Sequence, residues 1–497
     1  MRTAYTSDQI RAAEAALMAR LPEGTLMARA AAGLASVCAG MLTASAGKVY
    51  GSRVTLLIGS GDNGGDALYA GARLARRGAR VVAVLAGSRA HPGGRAALLG
   101  AGGRVVAYEE ALARDLIIEA DLVVDGLVGI GGAGALREPY ATLARLCADA
   151  HRVVAVDVPS GVDASSGRVD GPAVRAHVTV TFGAYKNGLL IDPGASHAGR
   201  VELVDIGLGP YLPDPDVVAL TGPDVADLLP RPIEETDKYR RGVVGIVAGS
   251  DRFTGAAVLC VAGALRAGVG MVRFASTAEP VRYVRTRWPE AVTTVLDGTE
   301  PDPVGKIGRV QAWVLGPGMG TDERAHALAR AVLATDEPVI VDADGVTLAA
   351  RDPSLLRRSA PTVITPHAGE LSRLLGVPRD RIEARKLEHA RRAAAELGVT
   401  VLLKGMTTLV AEEDRPVRVN TTGTPWLATG GTGDVLSGII GALLSAGLPG
   451  YEAASCGAYL HGRAALLAVH GGAEAGAEGP IAALDVAEAL PEAIRTL

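Results

Sequence analysis

A glycine-rich segment in the second half of the sequence, residues 428–444, has the composition of a phosphate site. Three glycines precede Asp434, and an apolar helix is predicted to begin directly after it. Glycine amides and the positive end of a helix dipole bind anions, and Asp434 beside them can accept a proton from an attacking hydroxyl. The pattern therefore predicts phosphoryl transfer with Asp434 as the base. A capping aspartate after a flexible loop is the simpler alternative, but a cap needs no preceding glycines.

Five further segments of the second half follow predicted strands and carry glycine or charged residues. They are AGSDRFTGAAVL (248–259), LGPGMG (315–320), VDADG (341–345), TPHAGE (365–370) and KGMTT (404–408). His367 alone would more often be a polar loop histidine, and Lys404 alone would be a strand-end charge. Because the segments recur in series at strand ends, we favour ligand contact for His367.

In the first half, the segment GSGDNGGDALYAGARL (59–74) follows a strand and opens a helix. Its glycines let a ligand approach the backbone, the helix N-terminus offers free amides, and Asn63 and Asp66 add side-chain oxygens. The segment is neither a GxGxxG fingerprint nor a Walker loop, which would need a Lys-Ser/Thr pair. A glycine-rich turn with capping acids is the open alternative.

Two more acids of the first half end apolar strands: Asp125 precedes GLVGIGGAGALREPY, and Asp157 precedes VPSG with Ser160. Loops at the carboxyl ends of neighbouring strands converge on one crevice. Asn63, Asp125 and Ser160 would supply hard oxygen ligands, which suit a group I or II cation. Further along the chain, Arg137 could meet a phosphate. Lys186 lies on a glycine-rich loop, where a phosphate contact and a solvated lysine are equally plausible.

Short apolar runs alternate with helical stretches along the chain. The runs are 54–58, 81–85, 122–124, 153–156, 178–181 and 201–204, then 243–247, 271–274, 313–315, 339–341, 362–364 and 399–403. Such alternation predicts parallel sheets covered on both faces, so the fold class is α/β with two doubly wound domains. A helix is also predicted near the start of the chain, with Ser7 or Asp8 as its cap.

Length and composition fit this organisation. The 497 residues, 48% of them hydrophobic, suffice for two or three domains. The proline-rich and charged segment 213–240 is the best boundary, and it separates residues 1–212 from residues 241–497. A net charge of -4 argues against a protein that mainly binds nucleic acid.

Targeting and redox signals favour a cytoplasmic location. The four cysteines form no CxxC pair and are expected to be core thiols in a reducing compartment. The charged N-terminal residues lack the apolar core of a signal peptide, and the longest apolar run, 435–448, is too short to span a bilayer. We therefore expect neither a nucleic-acid nor a membrane partner.

The motifs DNGGD, DGLVGIG, VDVPSGVDASSG and FGAYKNGLL together resemble the NAD(P)H-hydrate epimerase family. The resemblance implies a Rossmann-like, three-layer domain that interconverts the R and S forms of a nicotinamide ring hydrated at C6. It implies potassium ligation by Asn63, Asp125 and Ser160. It also implies substrate contacts from Asp157 and from two segments, namely Asp62, Asn63, Gly64, Gly65 and Asp66, then Gly129, Ile130, Gly131, Gly132, Ala133, Gly134 and Ala135.

Asp157 is our candidate for the general acid–base group of that reaction, because a positioned carboxyl group can protonate the departing C6 hydroxyl. The sequence departs from the family pattern at three places. Asp62 replaces the first Asn of the usual NNGGDG motif, Ala67 replaces its last Gly, and GIGGAG replaces a loop more often written FGTG. The added negative charge of Asp62 would face a phosphate-bearing substrate.

The ordered motifs of the second half resemble the ADP-dependent NAD(P)H-hydrate dehydratase branch of the ribokinase-like superfamily. The resemblance implies that Asp434 promotes phosphoryl transfer from ADP to the C6 hydroxyl, after which phosphate leaves. Magnesium is expected with the nucleotide. Contacts with the hydrated dinucleotide are implied for Ala256, Gly318, His367 and Asp434. Contacts with the adenine nucleotide are implied for Lys404, Gly405, Met406, Thr407, Thr408 and Gly433. At the start of this half, Asp237 replaces the family's usual His.

Three alternative functions fit less of the sequence than this interpretation does. A hydroxymethylpyrimidine or thiazole kinase also fits GTGD, but TPHAGE and the fused first domain favour the dehydratase. The first half could instead be a non-catalytic ligand- or RNA-binding module, although the sequence has no basic tract. A hydride-transferring dehydrogenase is disfavoured because no GxGxxG with a downstream acid occurs. The expected small-molecule partners are NADHX, NADPHX and ADP, and a homo-oligomer is left open.

Overall fold

The computed structural model describes residues 1–471 and 477–497. These residues form two compact units, one of Arg2–Val217 and one of Val218–Leu497 together with Met1. The division falls within the segment 213–240, which the sequence presents as a boundary. That segment holds a short strand and a helix, so it has regular structure of its own.

The first unit is an α/β unit built around one sheet. Its strands are β1 (Arg2–Tyr5), β2 (Arg53–Ile58), β3 (Arg80–Leu85), β4 (Arg104–Ala107), β5 (Leu122–Gly126), β6 (Val153–Val156), β7 (Val178–Phe182), β8 (Tyr185–Lys186) and β9 (Arg200–Val204). Its helices are α1 (Ser7–Met18), α2 (Thr25–Ala46), α3 (Asp62–Arg76), α4 (Pro92–Gly100), α5 (Glu110–Ile118), α6 (Tyr140–Leu146) and α7 (Ala195–Ala198). Seven strands form a parallel sheet in the order β4-β3-β2-β5-β6-β7-β9. Strands β1 and β8, which are not part of this seven-stranded sheet, also pair with each other in parallel.

The central strands of this sheet are apolar on both faces because each face is covered. Successive side chains of a strand point to opposite sides. Leu56 packs in the core on one face, and its neighbour Leu57 packs in the core on the other. Val124 and Val123 of β5 divide in the same way. The predicted doubly covered parallel sheet is thus confirmed.

The first 46 residues differ from expectation in the cap of α1 and in the length of an apolar helix. Helix α1 is capped by Thr6, whose hydroxyl accepts a hydrogen bond from the Gln9 amide at 3.3 Å, and not by Ser7 or Asp8. Within the described part of the chain, one helical stretch, Thr25–Ser45, is long and apolar enough to cross a membrane. Leu34 and Leu42 of that stretch are buried in the core of the first unit.

The second unit is also α/β. Its strands are β10 (Val217–Ala219), within which the division falls, β11 (Val243–Val247), β12 (Met271–Ser276), β13 (Val292–Val295), β14 (Ala312–Leu315), β15 (Val339–Val341), β16 (Thr362–Ile364), β17 (Thr400–Leu403), β18 (Thr408–Ala411) and β19 (Val417–Asn420). Its helices are α8 (Gly222–Leu228), α9 (Thr254–Arg266), α10 (Ala278–Arg287), α11 (Pro303–Ile307), α12 (Glu323–Leu333), α13 (Asp344–Arg351), α14 (Ala368–Leu375), α15 (Arg379–Ala384), α16 (Lys386–Leu397), α17 (Thr432–Ser445), α18 (Gly450–His470) and α19 (Ala483–Arg495).

Strands β11–β19 lie in the order β13-β12-β11-β14-β15-β16-β17-β18-β19. The first seven of these are parallel, whereas β18 and β19 continue the sheet in antiparallel fashion after β17. The strand order reverses between β11 and β14, as it does between β2 and β5 in the first unit. Open α/β sheets bind ligands beyond the carboxyl ends of strands at such a reversal.

Close packing of α9 against α17 holds the GTGD segment in place. A Cβ atom on Gly438 would lie 2.0 Å from the carbonyl oxygen of Cys260. A Cβ atom on Gly263 would lie 2.1 Å from the carbonyl oxygen of Val435. Only glycine at both positions allows the two helix backbones to approach so closely. The first turn of α17 is thereby fixed beside the loop after β11.

Candidate active sites

A cavity of about 760 Å³ lies at the strand reversal of the first unit. It is lined by residues from the ends of β2, β5 and β6, so the three predicted loops do converge. Of the predicted substrate contacts, Asp62, Asn63, Asp66, residues 129–135 and Asp157 all line it. Gly64 and Gly65 are buried instead in the first turn of α3, so the DNGGD segment is the start of a helix.

Asp157 is held in a strained position at the end of β6. Its φ of 66° lies in the left-handed region, which residues other than glycine seldom adopt. Its Oδ1 atom accepts hydrogen bonds from the Phe182 amide at 3.1 Å and the Thr181 hydroxyl at 3.2 Å. The ammonium group of Lys186 also contacts Oδ1. No described residue donates to Oδ2, which leaves that oxygen free to act on a ligand.

Lys186 is neither a phosphate contact nor a solvated lysine, so both expectations for it were wrong. Its side chain is 1% exposed and forms an ion pair with Asp157. The other two hydrogen bonds of the ammonium group go to the Thr181 hydroxyl at 3.0 Å and the Phe182 carbonyl at 2.9 Å. The lysine therefore fixes and neutralises Asp157. A FGAYKNGLL motif reveals a lysine on a loop but not the direction of its side chain.

Of the three predicted cation ligands, Asn63 lines the cavity, whereas Asp125 and Ser160 are fully buried and touch each other. The Ser160 hydroxyl donates to Asp125 Oδ1 at 2.6 Å, and its amide donates to Oδ2 at 2.8 Å. The Asn63 side-chain amide donates to the Val156 carbonyl at 2.9 Å, and a Cβ on Gly129 would lie 2.8 Å from Asn63 Oδ1. Burial, opposed by the hydrogen bonds from Ser160, raises the pKa of Asp125 to about 6.

Asp125 carries a fully buried carboxyl group that no described cationic side chain pairs. A buried negative charge without a partner is costly, and a bound cation would offset that cost. The donor set of carboxylate, hydroxyl and amide oxygens is the set that alkali and alkaline-earth cations prefer. The residues present therefore fit an alkali or alkaline-earth cation, a class that includes potassium.

Two further acids of this cavity, Glu14 and Asp66, are partly or wholly buried. Burial, and next the charge of Asp157, raises the pKa of Asp66 well above its usual range. Burial also raises the pKa of Glu14, which reaches the cavity from α1. Sequence reasoning missed Glu14 because a glutamate in an amphipathic helix carries no motif.

The second site begins with Asp434 in the first turn of α17, where Gly431 adopts a φ of 89°. Burial raises the pKa of Asp434 to about 7, and the neighbouring charge of Asp342 raises it further than the Lys404 ammonium lowers it. A carboxyl group with that pKa exchanges protons readily near neutrality. No described residue donates a hydrogen bond to its side chain.

Asp342, at the end of β15, anchors a buried polar network beside Asp434. Its Oδ1 accepts from Lys404 Nζ at 2.7 Å, and its Oδ2 accepts from the Ser437 hydroxyl at 2.7 Å. Burial opposes ionisation of Asp342, but Lys404 and the hydrogen bonds outweigh it and lower its pKa. A Cβ on Gly433 would lie 3.6 Å from Lys404 Nζ, so the ammonium group borders the glycine amides.

His367 is the N-cap of α14, which is a structural role beside the expected ligand contact. Its Nδ1 accepts hydrogen bonds from the Gly369 amide at 2.9 Å and the Glu370 amide at 3.2 Å. Its own amide donates to Glu370 Oε2 at 2.8 Å, which completes a capping box. The side chain is 55% exposed, and its Nε2 lies 3.6 Å from Glu370 Oε1.

The structure brings the remaining predicted residues of the second site to the same sheet edge. Gly318, with a φ of 62°, packs on α9, where a Cβ atom would lie 2.8 Å from the Cβ of Ala256. Residues 404–408 lead from β17 into β18. Gly405 and Met406 of that turn are exposed, whereas Thr407 is buried.

Lys386, at the start of α16, is a residue that the sequence analysis missed. Its Nζ lies 2.9 Å from the position that a Cβ on Gly405 would take. No described acid pairs with it, so its positive charge is available beside the 404–408 turn. A lysine that opens an ordinary charged helix gives no sequence signal of this placement.

Comparison with known families and proteins adds independent evidence. The family model described as NAD(P)H-hydrate dehydratase matches residues 244–478. The family model described as YjeF-related protein N-terminus matches residues 23–188. Each match lies within one structural unit and contains the strand reversal of that unit.

Two relatives that match most of the chain have the same name. A protein of Mycobacterium tuberculosis named "Bifunctional NAD(P)H-hydrate repair enzyme Nnr" is 50% identical over 460 residues, which cover 92% of each chain. A protein of the same name from Moorella thermoacetica is 37% identical and covers 84% of this chain and 83% of its own.

A solved structure resembles the second unit. The ADP/ATP-dependent NAD(P)H-hydrate dehydratase of Bacillus subtilis, co-crystallised with ATP and Mg²⁺, matches with a TM-score of 0.51 and 30% identity. The match covers 56% of this chain and 99% of that one.

Proposed function

The chain belongs to the family of bifunctional NAD(P)H-hydrate repair enzymes, and we propose that it restores nicotinamide cofactors hydrated at C6. The first unit interconverts the R and S hydrates. The second unit converts the S hydrate of NADH or NADPH to the intact cofactor with ADP, giving AMP and phosphate. The order is physically sensible, because a dehydratase that accepts one epimer needs an epimerase to reach the other.

The epimerase reaction requires one group that protonates the departing hydroxyl and one that accepts a proton from the returning water. Once the C6 hydroxyl is protonated, water leaves because the neighbouring ring nitrogen donates its electron pair. Water then returns to the opposite face. Asp157 is the proposed acid–base residue of this cycle, with its Oδ2 atom directed to the substrate. Its ion pair with Lys186 keeps the carboxylate oriented.

In the dehydratase reaction, Asp434 accepts the proton of the C6 hydroxyl as that oxygen attacks the terminal phosphoryl group of ADP. The bond from this phosphorus to the bridging oxygen breaks, and AMP departs. The phosphate on C6 then leaves with the C–O electron pair, a C5 proton is lost, and the dihydropyridine is restored. The amides near Gly433 and the Lys404 ammonium stabilise charge on the transferred group.

One observation carries the dehydratase proposal. Asp434, whose pKa is raised to about 7, lies at a helix N-terminus beside Lys404 and Gly433. A base of that strength and an anion site occur within one helical turn. Either feature alone would fit many binding sites, but the two together are what transfer of a phosphoryl group to an alcohol needs.

We propose that Asn63, Asp125 and Ser160 hold a potassium ion, which would supply fixed positive charge beside the phosphate-bearing substrate. Magnesium would arrive with the nucleotide and neutralise its phosphates. Replacing K⁺ with a large organic cation is expected to slow conversion of the R hydrate and leave conversion of the S hydrate unchanged. An equal effect on both hydrates would contradict this potassium site.

The proposed compartment is the cytoplasm. Its support is that all four cysteines are free and buried in the structure, which is typical of core thiols in a reducing compartment. Small molecules are the proposed partners, namely NADHX, NADPHX and ADP. A homo-oligomer is compatible with these sites and is tested by light scattering of the intact chain.

The decisive assay mixes the purified chain with NADHX and ADP and follows recovery of the dihydronicotinamide absorbance. We expect recovery with wild-type protein and its loss in Asp434→Asn. A small-molecule kinase, the alternative reading, would instead phosphorylate an alcohol substrate and leave NADHX unchanged. Nothing in the geometry of the second site favours that alternative specifically.

A further inference from the structure

Asp66 is a buried acid of the epimerase cavity to which the proposed function assigns no chemistry beyond substrate contact. It lies in the second turn of α3 and is 8% exposed. Its Oδ1 atom is fully buried and has no hydrogen-bond partner. No described residue donates to the carboxyl group at all. Asp66 nevertheless lines the same cavity as Asp157. A buried polar group without a partner is costly, so its retention calls for a functional explanation.

The charges that face Asp66 come from several elements and are mostly negative. Glu14 approaches from α1, Asp62 from the start of α3 and Asp157 from the end of β6, and each of them opposes ionisation of Asp66. Lys186 is the cation among these neighbours, and it is already paired with Asp157.

His91, from the N-terminal end of α4, faces the backbone of Gly65 next to Asp66. Its Nδ1 accepts a hydrogen bond from the Gly94 amide at 3.0 Å. This hydrogen bond makes His91 the N-cap of α4. The surroundings of Asp66 thus favour the neutral carboxylic acid, whereas Asp157 is paired with the Lys186 ammonium group. Two acids with opposite surroundings in one cavity are the arrangement from which acid and base roles are assigned.

We propose that Asp66, rather than Asp157, is the catalytic acid of the epimerase site, which narrows the role of Asp157 to that of the complementary base; the inference rests on the proposed epimerase function. Asp66 gives its proton to the C6 hydroxyl, the C–O bond breaks, and water departs as the ring nitrogen donates its electron pair. A water molecule then adds to C6 from the other face and gives one proton to Asp157. Each conversion moves one proton from Asp66 to Asp157, and exchange with solvent restores both groups.

The test uses the full chain with Asp66→Asn, which keeps the shape of the side chain and removes the proton. With ADP present, the R hydrate is converted only after epimerisation, whereas the S hydrate needs only the second unit. We expect conversion of the R hydrate to fall by about 100-fold or more, the usual contribution of a general acid, with S conversion unchanged. Wild-type R conversion should decline as alkali deprotonates Asp66, and Asp66→Glu should retain part of the activity.

A structural role makes a different prediction. Because Asn replaces an unpartnered carboxyl group, the midpoint of thermal unfolding of the first unit should not fall in Asp66→Asn. The assignment of Asp66 would be overturned if Asp66→Asn converts the R hydrate within about threefold of the wild-type rate. It would also be overturned if Asp66→Asn lowers the midpoint of thermal unfolding and Asp66→Glu is as inactive as Asp66→Asn. Failure of the wild-type chain to convert the R hydrate, while it still converts the S hydrate, would instead contradict the proposed epimerase function itself.

Discussion

The raised pKa of Asp434 makes the pH dependence of the dehydratase a direct measure of its surroundings. As a base, Asp434 must be ionised, so the rate should fall as the pH drops through its pKa of about 7. At about pH 6, only about a tenth of the side chains of the free enzyme are ionised, and kcat/KM for the S hydrate should be about tenfold below its plateau. A carboxyl group with an ordinary pKa would give a flat profile in this range.

Two substitutions of its neighbours should move the inflection in opposite directions. Asp342→Asn removes a negative charge that raises the pKa of Asp434, so the inflection should move to lower pH. Lys404→Met removes a positive charge that lowers it, so the inflection should move to higher pH. Both variants will also lose rate, because both residues border the site. The pH at which the rate profile inflects reports the charges around Asp434, whereas the plateau rate does not.

The assay is stopped-flow or steady-state recovery of absorbance with pure S hydrate and saturating ADP, from about pH 5.5 to 8.5. Asp434→Asn serves as the control for residual, uncatalysed loss of water. A flat wild-type profile, or an inflection that shifts in the same direction in both neighbour variants, would refute the assignment of Asp434 as the base.

Three further predictions concern stability and nucleotide binding. The folded state raises the pKa of Asp434 from 3.8 to about 7, so it binds more protons than the unfolded state and loses stability as the pH rises through that window. Asp434→Asn should therefore raise the free energy of unfolding at alkaline pH by up to about 4 kcal/mol. Below about pH 4 the substitution should leave the free energy of unfolding unchanged, because Asp434 is protonated in both the folded and the unfolded state. Lys386→Gln should raise KM for ADP about fivefold, which corresponds to about 1 kcal/mol, and should change kcat little. The control variant Lys306→Gln, on the surface, should change neither KM nor kcat. Gly438→Ala should cost about 1–3 kcal/mol in denaturant titrations because its Cβ would overlap Cys260, whereas Gly255→Ala, with open space around it, should be neutral or stabilising.

The location of both sites followed from the sequence because parallel α/β topology constrains it. Asp125 and Ser160 are 35 residues apart, yet Asp125 lies near the end of β5 and Ser160 follows β6, and such strands end at one edge of the sheet. Their contact is therefore a consequence of strand order. The family resemblance implied that Gly433 and Lys404 contact one nucleotide, and in the structure a Cβ on Gly433 would lie 3.6 Å from Lys404 Nζ. The expected fold class, doubly wound sheets in both halves, was confirmed for the same reason.

Side-chain direction and long-range packing were out of reach of the sequence. Lys186 appeared to be a loop lysine, but its ammonium group turns inward to Asp157. Glu14 and Lys386 belong to helices whose patterns are those of ordinary surface helices, and only tertiary packing brings them to the sites. His367 signalled a ligand contact, whereas its Nδ1 atom caps a helix. These outcomes depend on rotamers and neighbours that no local pattern encodes.

The most direct test of two cooperating sites is conversion of separated R and S hydrates with ADP by wild type, Asp157→Asn and Asp434→Asn, against a blank without enzyme. Wild type should restore both hydrates. Asp157→Asn should restore only the S hydrate, and Asp434→Asn should restore neither. If Asp157→Asn converts the R hydrate at the wild-type rate, or Asp434→Asn still converts the S hydrate, the assignment of one reaction to each unit is contradicted.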